Sequence, residues 1–385
     1  MKITNLTSVV VGAGMRNWVF VKITTDEGIV GWGEATTEWR THSVVGALED
    51  FGPIVVGQDP FRIEHLWQTM HRGQFWKGGL VTMSAISGID QALHDVKAQA
   101  LGVPIYDLLG GRVRDEIRMY DHLGGGAPEM VYGNLPAERA AEVAVQSVEA
   151  GFDAVKILPV PVVGALPTGA DLRHAHDTMA AVRAAVGPDV DIMVDLHGRC
   201  TPAGAAEFAR RLRDHRPWFI EEPCPPELVD ELPSIAACGV PLALGERLVG
   251  RSEFLGVLKT GAVAVIQPDV CHCGGISELR RIAALAETFG VSVAPHNPLG
   301  PIATAHNLHF AAATPNFLIQ EQMRNAVPWY DDVVDGALVV RNGKTAIPDG
   351  PGLGLAVVES EAAKHPFVAD EQIMSTHADG SVADW

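Results

Sequence analysis

Three short apolar runs between residues 191 and 246 set the architecture of this chain: DIMVD (191–195), WFIE (218–221) and PLALGE (241–246). Each run ends on a carboxylate, at Asp195, Glu221 and Glu246, and a stretch with helical patterning follows. The carboxylates are 26 and 25 positions apart (221 − 195 and 246 − 221), about the length of one strand, one helix and two short loops. Repeated units of this kind predict parallel strands joined by right-handed crossovers.

The same unit continues in both directions along the chain. We predict parallel strands at eight apolar runs: 117–120, 153–158, 191–196, 218–220, 241–244, 263–266, 291–294 and 317–319. Helix starts lie between them, with Thr201 as an N-cap before Pro202 and Ser277 as an N-cap before Glu278. Eight strands alternating with helices predict an α/β protein built on a (β/α) barrel.

The two ends of the chain have a different pattern. Residues 18–24 and 29–32 read as strands around a turn at 26–28, and residues 84–100 have helical spacing. This order predicts an α+β unit over about the first 110 residues. In the tail, residues 337–340 and 345–348 flank a turn at Asn342-Gly343, and we expect this segment to pack back against the first unit.

An ionisable residue recurs at the end of each barrel run from 153–158 onward. The set is Lys156, Asp195, Glu221, Glu246, Asp269, His296 and Glu321. The C-terminal ends of parallel barrel strands form one face, where catalytic residues from different strands meet. We therefore expect these side chains to converge on a single mouth.

Three neighbouring carboxylates in one mouth call for a cation. Two carboxylates about 4 Å apart repel by roughly 4 kcal/mol at an effective dielectric constant near 20. A site with oxygen ligands only, here Asp195, Glu221 and Glu246, favours Mg²⁺, or Mn²⁺ in its place, over zinc. The alternative is that each acid caps a following helix or pairs with a lysine.

Further strand-end residues are candidates for proton transfer. His197 lies two positions after Asp195, so strand alternation would turn it toward the same mouth. Asp269 and His296 end neighbouring strands, and a carboxylate beside a histidine fixes its tautomer and raises its basicity. Glu321, if protonated, would hydrogen-bond a developing oxyanion; the alternative is a salt bridge, for instance to Arg324. Structural hydrogen bonding is the alternative for both histidines.

Composition restricts partners and compartment. The formal net charge of −18 disfavours a broad nucleic-acid surface, and local positive charge or a metal must hold any anionic substrate. No stretch approaches the roughly 20 apolar residues that span a bilayer, and no signal peptide is recognisable. The five cysteines show no secreted spacing and are expected to be free thiols. We expect a soluble, cytoplasmic protein that binds neither nucleic acid nor membrane.

Short motifs around these residues carry a family resemblance. They are DLHGR (195–199), FIEEP (219–223), GER (245–247), QPD (267–269), APH (294–296) and QE (320–321), with GWGE (31–34) and PGLG (351–354). The set resembles the enolase superfamily, mandelate racemase subgroup, over essentially the whole chain, and within it is most similar to galactonate dehydratases. The resemblance implies a modified TIM barrel, (β/α)₇β, at residues 113–330. An α+β capping domain would comprise residues 1–112 and the returning segment 331–385.

The resemblance also implies a chemistry. Mg²⁺ would be held by Asp195, Glu221 and Glu246. His296 with Asp269 would be the base, Glu321 would stabilise the intermediate, and His197 would be the acid assisting departure of the 3-hydroxyl. Candidate substrate contacts are Lys156 in the barrel and Trp39, Arg40 and Trp76 in the cap.

The implied activity is dehydration of a sugar acid to a 2-keto-3-deoxy acid, with D-galactonate the first choice of substrate and a homo-oligomer the expected assembly. Many relatives have Lys-x-Lys on the second barrel strand, where this chain has Lys156-Ile157-Leu158. The second lysine, often a base, is absent, which shifts that role to His197. Alternatives are a racemase or epimerase on the same site, a dehydratase for another aldonic or aldaric acid, and an inactive sugar-acid-binding protein.

Overall fold

The chain begins with an antiparallel three-stranded sheet. In the computed structural model, which describes residues 1–123, 135–323, 325–336, 338–369, 374–377 and 379–384, these strands are β1 (Ile3–Ala13), β2 (Arg16–Thr25) and β3 (Val30–Glu34). Gly28 takes the positive φ of 82° that the predicted turn between β2 and β3 requires. A side chain at Gly33 would put its Cβ 2.1 Å from the carbonyl oxygen of Gly88, so glycine lets β3 lie directly on a helix.

Four helices follow this sheet along the chain: α1 (Thr41–Val55), α2 (Ile63–Arg72), α3 (Leu80–Leu101) and α4 (Ile105–Leu108). The long helix α3 is buried along most of its length because it lies between the sheet and the barrel. Phe51 from α1, Leu66 from α2 and Ile89 from α3 join Val21 of β2 in one hydrophobic core. This arrangement is the α+β capping unit that the sequence predicts.

The middle of the chain forms a closed barrel. Its strands are β4 (Glu116–His122), β5 (Ala154–Ile157), β6 (Asp191–Asp195), β7 (Ile220–Glu221), β8 (Leu242–Leu244), β9 (Val265–Ile266), β10 (Ser292–Val293) and β11 (Gln320–Gln322). Successive strands from β4 to β10 pair in parallel. A parallel bridge from Val293 to Phe317 and the pairing of β11 with β4 close the ring.

Among the described residues, seven α-helices connect these strands: α5 (Ala137–Glu149), α6 (Gly169–Val186), α7 (Pro202–Leu212), α8 (Leu232–Ala236), α9 (Arg251–Lys259), α10 (Gly275–Thr288) and α11 (Pro301–Ala313). Thr201 is the N-cap of α7, as predicted, and its side chain accepts from the Gly204 N–H. With eight strands and seven connecting helices, the structure confirms the predicted (β/α)₇β barrel.

Some predicted boundaries are wrong. The run at 317–319 precedes the last strand, so Glu321 lies within β11 rather than after it. Ser277 does not cap α10, which begins at Gly275 behind Gly274 at a φ of 116°. The Ser277 hydroxyl instead donates to Asp90 on α3 at 2.6 Å, because the capping helix packs against this helix start.

The tail contacts both parts of the molecule. Its short strands β12 (Val340–Arg341) and β13 (Lys344–Ala346) form a hairpin, and β13 adds antiparallel to β4. The predicted strand start at Ala337 lies outside the described residues. Further on, α12 is Glu359–Ala362, and backbone contacts run from Gly352 to Val103 and from Gly12 to His365. The division of the chain at residues 112 and 330 stays a proposal.

The helices that the structure describes include none that combines the length and the apolar character needed to cross a bilayer.

Buried carboxylates join the cap to the barrel. Glu34 on β3 accepts from the backbone N–H groups of Gly300 and Ala303, at 2.9 and 2.8 Å, at the start of α11. Asp90 on α3 accepts from both the backbone N–H and the hydroxyl of Ser277 on α10. Because a helix N-terminus presents free N–H groups, both acids satisfy donors that would otherwise lack a partner.

Replacement of Asp90 tests this junction. Asp90→Ala should lower the free energy of unfolding by about 2–4 kcal/mol, because two hydrogen bonds are lost and the Ser277 N–H loses its acceptor. Asp90→Asn should retain most of the stability, since the amide oxygen can accept from the N–H while its nitrogen donates to Ser277 Oγ. Denaturant titration measures both, with the exposed Glu49→Ala as control. Equal losses in the alanine and asparagine variants would contradict this account.

Glu34 should make stability depend on pH. Burial raises its pKa to about 7 from the ordinary 4.5, despite its hydrogen bonds. Between these values the folded state binds more protons than the unfolded state, so stability from this group decreases as pH rises. The unfolding free energy of the wild type minus that of Glu34→Gln should therefore fall by roughly 2 kcal/mol from about pH 5.5 to about pH 8. A value of this difference that stays constant or rises with pH would show that Glu34 does not titrate in this window.

Candidate active site

The barrel floor determines which side chains point into the mouth. One residue from each strand segment forms a buried cluster inside the barrel: Tyr120, Ala154, Met193, Phe219, Ala243, Val265, Ala294 and Ile319. In seven of these segments a polar residue follows two positions later: His122, Lys156, Asp195, Glu221, Gln267, His296 and Glu321. Because alternate residues of a strand face the same side, these polar groups stand above the floor in one ring.

The three predicted metal ligands come together. Oxygen atoms of Asp195, Glu221 and Glu246 lie within 4.8 Å of one another, and Asp195 is paired in register with Glu221. Burial and the charge of Asp195 raise the pKa of both Glu221 and Glu246. At Asp195 itself burial is outweighed by Lys156 together with His197 and His122, so the pKa of Asp195 is lowered. Within the described residues, Oε2 of Glu221 has no hydrogen-bond partner. A close set of oxygen donors with an unpaired buried oxygen fits a hard divalent cation such as Mg²⁺.

Lys156 is the cation among these acids. Its side chain is 1 % exposed, and Nζ lies 2.5 Å from Glu221, 2.7 Å from Glu321 and 3.7 Å from Asp195. Burial alone would lower its pKa, but the carboxylates of Glu221 and Glu321 hold it well above the usual value. Lys156 therefore carries positive charge at the boundary between the carboxylate trio and the last strand.

His296 and Asp269 form the predicted pair. Nδ1 of His296 lies 2.8 Å from Oδ2 of Asp269, whose Oδ1 accepts from the Cys271 N–H at 2.6 Å. Nε2 of His296 faces the mouth, 3.4 Å from Glu246. Burial opposes the charged imidazole, but Glu246 and Asp269 raise the pKa of His296 to about 10 in the ion-free protein. The carboxylate of Asp269 orients the ring so that Nε2 is the nitrogen available for proton transfer.

His197 lies beside the trio for a reason different from the predicted one. Strand β6 ends at Asp195, and His197 has a φ of 55°, so strand alternation does not orient it. Its backbone N–H donates to Asp195 at 2.7 Å, and its carbonyl accepts from Arg247 at 2.7 Å. Burial lowers the pKa of His197 to about 3, which makes the ring neutral in the ion-free protein. These backbone bonds hold it in a left-handed conformation that non-glycine residues seldom adopt.

Glu321 bridges several mouth residues. Its Oε2 accepts from the Asn297 N–H at 2.7 Å, and its Oε1 contacts Lys156. Lys156 and the neighbouring histidines together outweigh burial and hold the pKa of Glu321 well below the usual value, so the carboxyl is ionised here, whereas the predicted oxyanion role was conditional on its protonated form. The alternative partner Arg324 lies outside the described residues.

One mouth residue, His122, was not predicted from the sequence. His122 ends β4 and lies 3.4 Å from Oε1 of Glu321, so the first barrel strand also contributes a polar side chain. The predicted strand stopped at Tyr120, two positions short. Had the predicted strand been extended by two residues, His122 would have faced the same side as Lys156, with which it is paired in register on β5.

The cap residues occupy different settings. Arg16 pairs with Glu38 at 2.7 Å and donates to the Pro298 carbonyl, which ties the loop containing Trp39 and Arg40 to the loop after β10. Trp39 is half-buried with a φ of 56°, and Arg40 is exposed. Trp76 is 86 % exposed, so its predicted substrate contact has no support from burial in this conformation.

Comparisons with known proteins agree with this architecture. The family model described as mandelate racemase/muconate lactonizing enzyme, N-terminal domain, matches residues 6–110, and the one described as enolase C-terminal domain-like matches 139–361. D-galactonate dehydratases from Verminephrobacter eiseniae and Cronobacter sakazakii are 42% and 39% identical to this chain, over the full length of both partners. A crystal structure of an enolase superfamily member from Salmonella Typhimurium is 35% identical and has a TM-score of 0.89, covering 95% of this chain and 98% of its own.

Thermal unfolding tests the cation site. Saturating Mg²⁺, at about 100 times its Kd, should stabilise the wild-type protein by about 2.7 kcal/mol if it binds only the folded state. Glu221→Gln should abolish this stabilisation, because one charged ligand is removed from the trio. The exposed Glu231→Gln on the same barrel should behave like wild type. Equal stabilisation of Glu221→Gln and wild type would place the cation elsewhere.

Proposed function

Since this chain belongs to the mandelate racemase/muconate lactonizing enzyme family of the enolase superfamily, we propose that it is a Mg²⁺-dependent sugar-acid dehydratase whose first-choice substrate is D-galactonate. The full-length D-galactonate dehydratase relatives make it a hydro-lyase acting on an acid sugar. The observation that carries the proposal is the meeting of His296–Asp269 and His197 around one buried carboxylate trio.

The trio suits the hardest step of the reaction. A carbon next to an ionised carboxylate is a very weak acid, because loss of its proton places a second negative charge on the carboxylate oxygens. Mg²⁺ held by Asp195, Glu221 and Glu246 would supply positive charge where that negative charge develops. Lys156, beside Glu221 and Glu321, would add positive charge at the same end of the substrate.

The two histidines divide the proton transfers. Nε2 of His296 accepts the C2 proton while Asp269 holds Nδ1–H, and His197 gives a proton to the departing 3-hydroxyl. The resulting enol becomes the 2-keto-3-deoxy acid. For these roles His296 must be neutral and His197 protonated, the reverse of what their pKa values favour in this structure. A cation bound to Glu246 would offset the negative charge of Glu246, which raises the pKa of His296. A substrate anion beside His197 would favour the protonated form of His197.

A racemase on the same site is the nearest rival. It would need acid/base groups on both faces of C2, and the two histidines could serve. However, strand β5 carries Lys156 followed two positions later by the buried Leu158, so a second lysine is absent there. Formation of a 2-keto product separates the two activities, and a panel of aldonic and aldaric acids identifies the preferred substrate.

Isotope exchange tests the assigned roles. In deuterated water, His296→Asn should lose both dehydration and C2 deuterium exchange, by about 100-fold or more, as expected when a general base is removed. His197→Asn should lose dehydration but retain some C2 exchange, because it acts after proton removal. The exposed His65→Asn serves as control. Normal exchange and turnover in His296→Asn would exclude it as the base.

A further inference from the structure

We propose that His122 is a specificity-determining residue that hydrogen-bonds a hydroxyl group of the bound sugar acid. The inference rests on the proposed function and deepens it. It concerns the polyhydroxylated part of the substrate rather than the carboxylate or the reacting carbon, and it assigns a role to the first barrel strand.

The position of His122 places it at the mouth. It lies two residues after Tyr120, which belongs to the barrel floor, and it is paired in register with Lys156. Strand alternation therefore directs both His122 and Lys156 to the interior side of the barrel, at the level where the mouth begins. A ligand held by the carboxylate trio and Lys156 would lie next to this imidazole.

His122 is buried without adequate hydrogen bonds. The residue is 7 % exposed, and within the described part of the chain neither ring nitrogen has a hydrogen-bond partner of good geometry. Its nearest polar contact is Nδ1 to Oε1 of Glu321 at 3.4 Å. Buried polar groups are normally paired, so an imidazole in this state at a catalytic mouth is expected to be completed by a ligand.

The chemistry of the ring matches a hydroxyl group. Burial and the charge of Lys156 lower the pKa of His122, which favours the neutral imidazole. A neutral imidazole offers one N–H donor and one acceptor nitrogen, and a hydroxyl is likewise both donor and acceptor. A carboxylate needs donors and positive charge, and Lys156 already provides these next to His122.

A purely structural role explains less. Glu321 is already held by the Asn297 N–H at 2.7 Å and by Lys156 at 2.7 Å, so it does not need the longer contact with His122. A residue that only positioned Glu321 would affect the chemical step rather than substrate binding. The two roles therefore predict different kinetic changes.

Steady-state kinetics with Mg²⁺ and D-galactonate, or the best acid of the panel, separates these roles. His122→Phe keeps a ring and removes both nitrogens, and should raise KM about 3- to 10-fold with kcat within about 2-fold, as expected for loss of one neutral hydrogen bond. His122→Gln keeps a donor and an acceptor and should restore most of the lost affinity. Tyr120→Phe is the control. It removes the buried Tyr120 hydroxyl, which also lacks a partner in the described residues but lies one level deeper on the same strand, and it should leave KM unchanged.

Nuclear magnetic resonance provides a readout that does not depend on folding of the phenylalanine variant. With ¹⁵N-histidine labelling in the His296→Asn background, the imidazole nitrogens of His122, assigned by their absence in His122→Gln, should shift when Mg²⁺ and sugar acid are added together. Mg²⁺ alone should shift them less.

Each outcome decides the inference. Unchanged KM in His122→Phe, or unmoved His122 resonances on saturation with sugar acid, overturns it while dehydration by the wild type leaves the proposed function intact. A fall in kcat at constant KM overturns it in favour of positioning Glu321. A wild-type protein that neither binds nor converts any acid of the panel overturns the proposed function and this inference together.

Discussion

Mutual repulsion among buried carboxylates at the barrel mouth is the constraint on which the site depends. Asp195, Glu221 and Glu246 come from consecutive strand units and bring their oxygens within 4.8 Å of one another. Lys156 is the buried ammonium that contacts this group, and it is shared with Glu321. With all three carboxyls ionised, Lys156 would offset only part of their charge in a space shielded from water, where charges interact strongly. A divalent cation would relieve that charge, and it would do so where a substrate carboxylate gains charge during proton removal.

Several polar contacts anchor the capping unit to the barrel. Glu34 and Asp90 accept hydrogen bonds from the starts of two barrel helices, and Arg16 joins the cap loop at Glu38 to the loop that follows His296. These contacts are buried or partly buried and involve charged groups, which makes them stronger than surface ion pairs. The cap is therefore coupled to the same loops that carry the base, so changes in the cap can reach substrate choice without altering the carboxylate trio.

Much of the fold and the trio was predictable, because both rest on periodicity. Apolar runs about 25 residues apart imply parallel strands, and equal phase implies a shared face, so Asp195, Glu221 and Glu246 could be placed together before any coordinates. Other features depend on local backbone geometry or long-range pairing, which the spacing of apolar runs does not predict. His197 is set by a left-handed backbone, Ser277 bonds the cap instead of its own helix, and the tail hairpin pairs with β4. His122 was overlooked because the apolar run ends before the strand does.

The amino-acid sequence alone determined the strand–helix order, the strand-end residues and their common phase, since these depend on repeats within a few tens of residues. Only the tertiary structure decided which charges meet: that Lys156 bridges Glu221 and Glu321, that Glu321 is ionised, and that His122 lies beside it without a hydrogen-bond partner among the described residues. Such contacts join residues up to about two hundred positions apart, and their distances follow from barrel closure between β11 and β4. Electrostatic energy varies with distance and burial, and neither quantity is written in the spacing of residues along a chain.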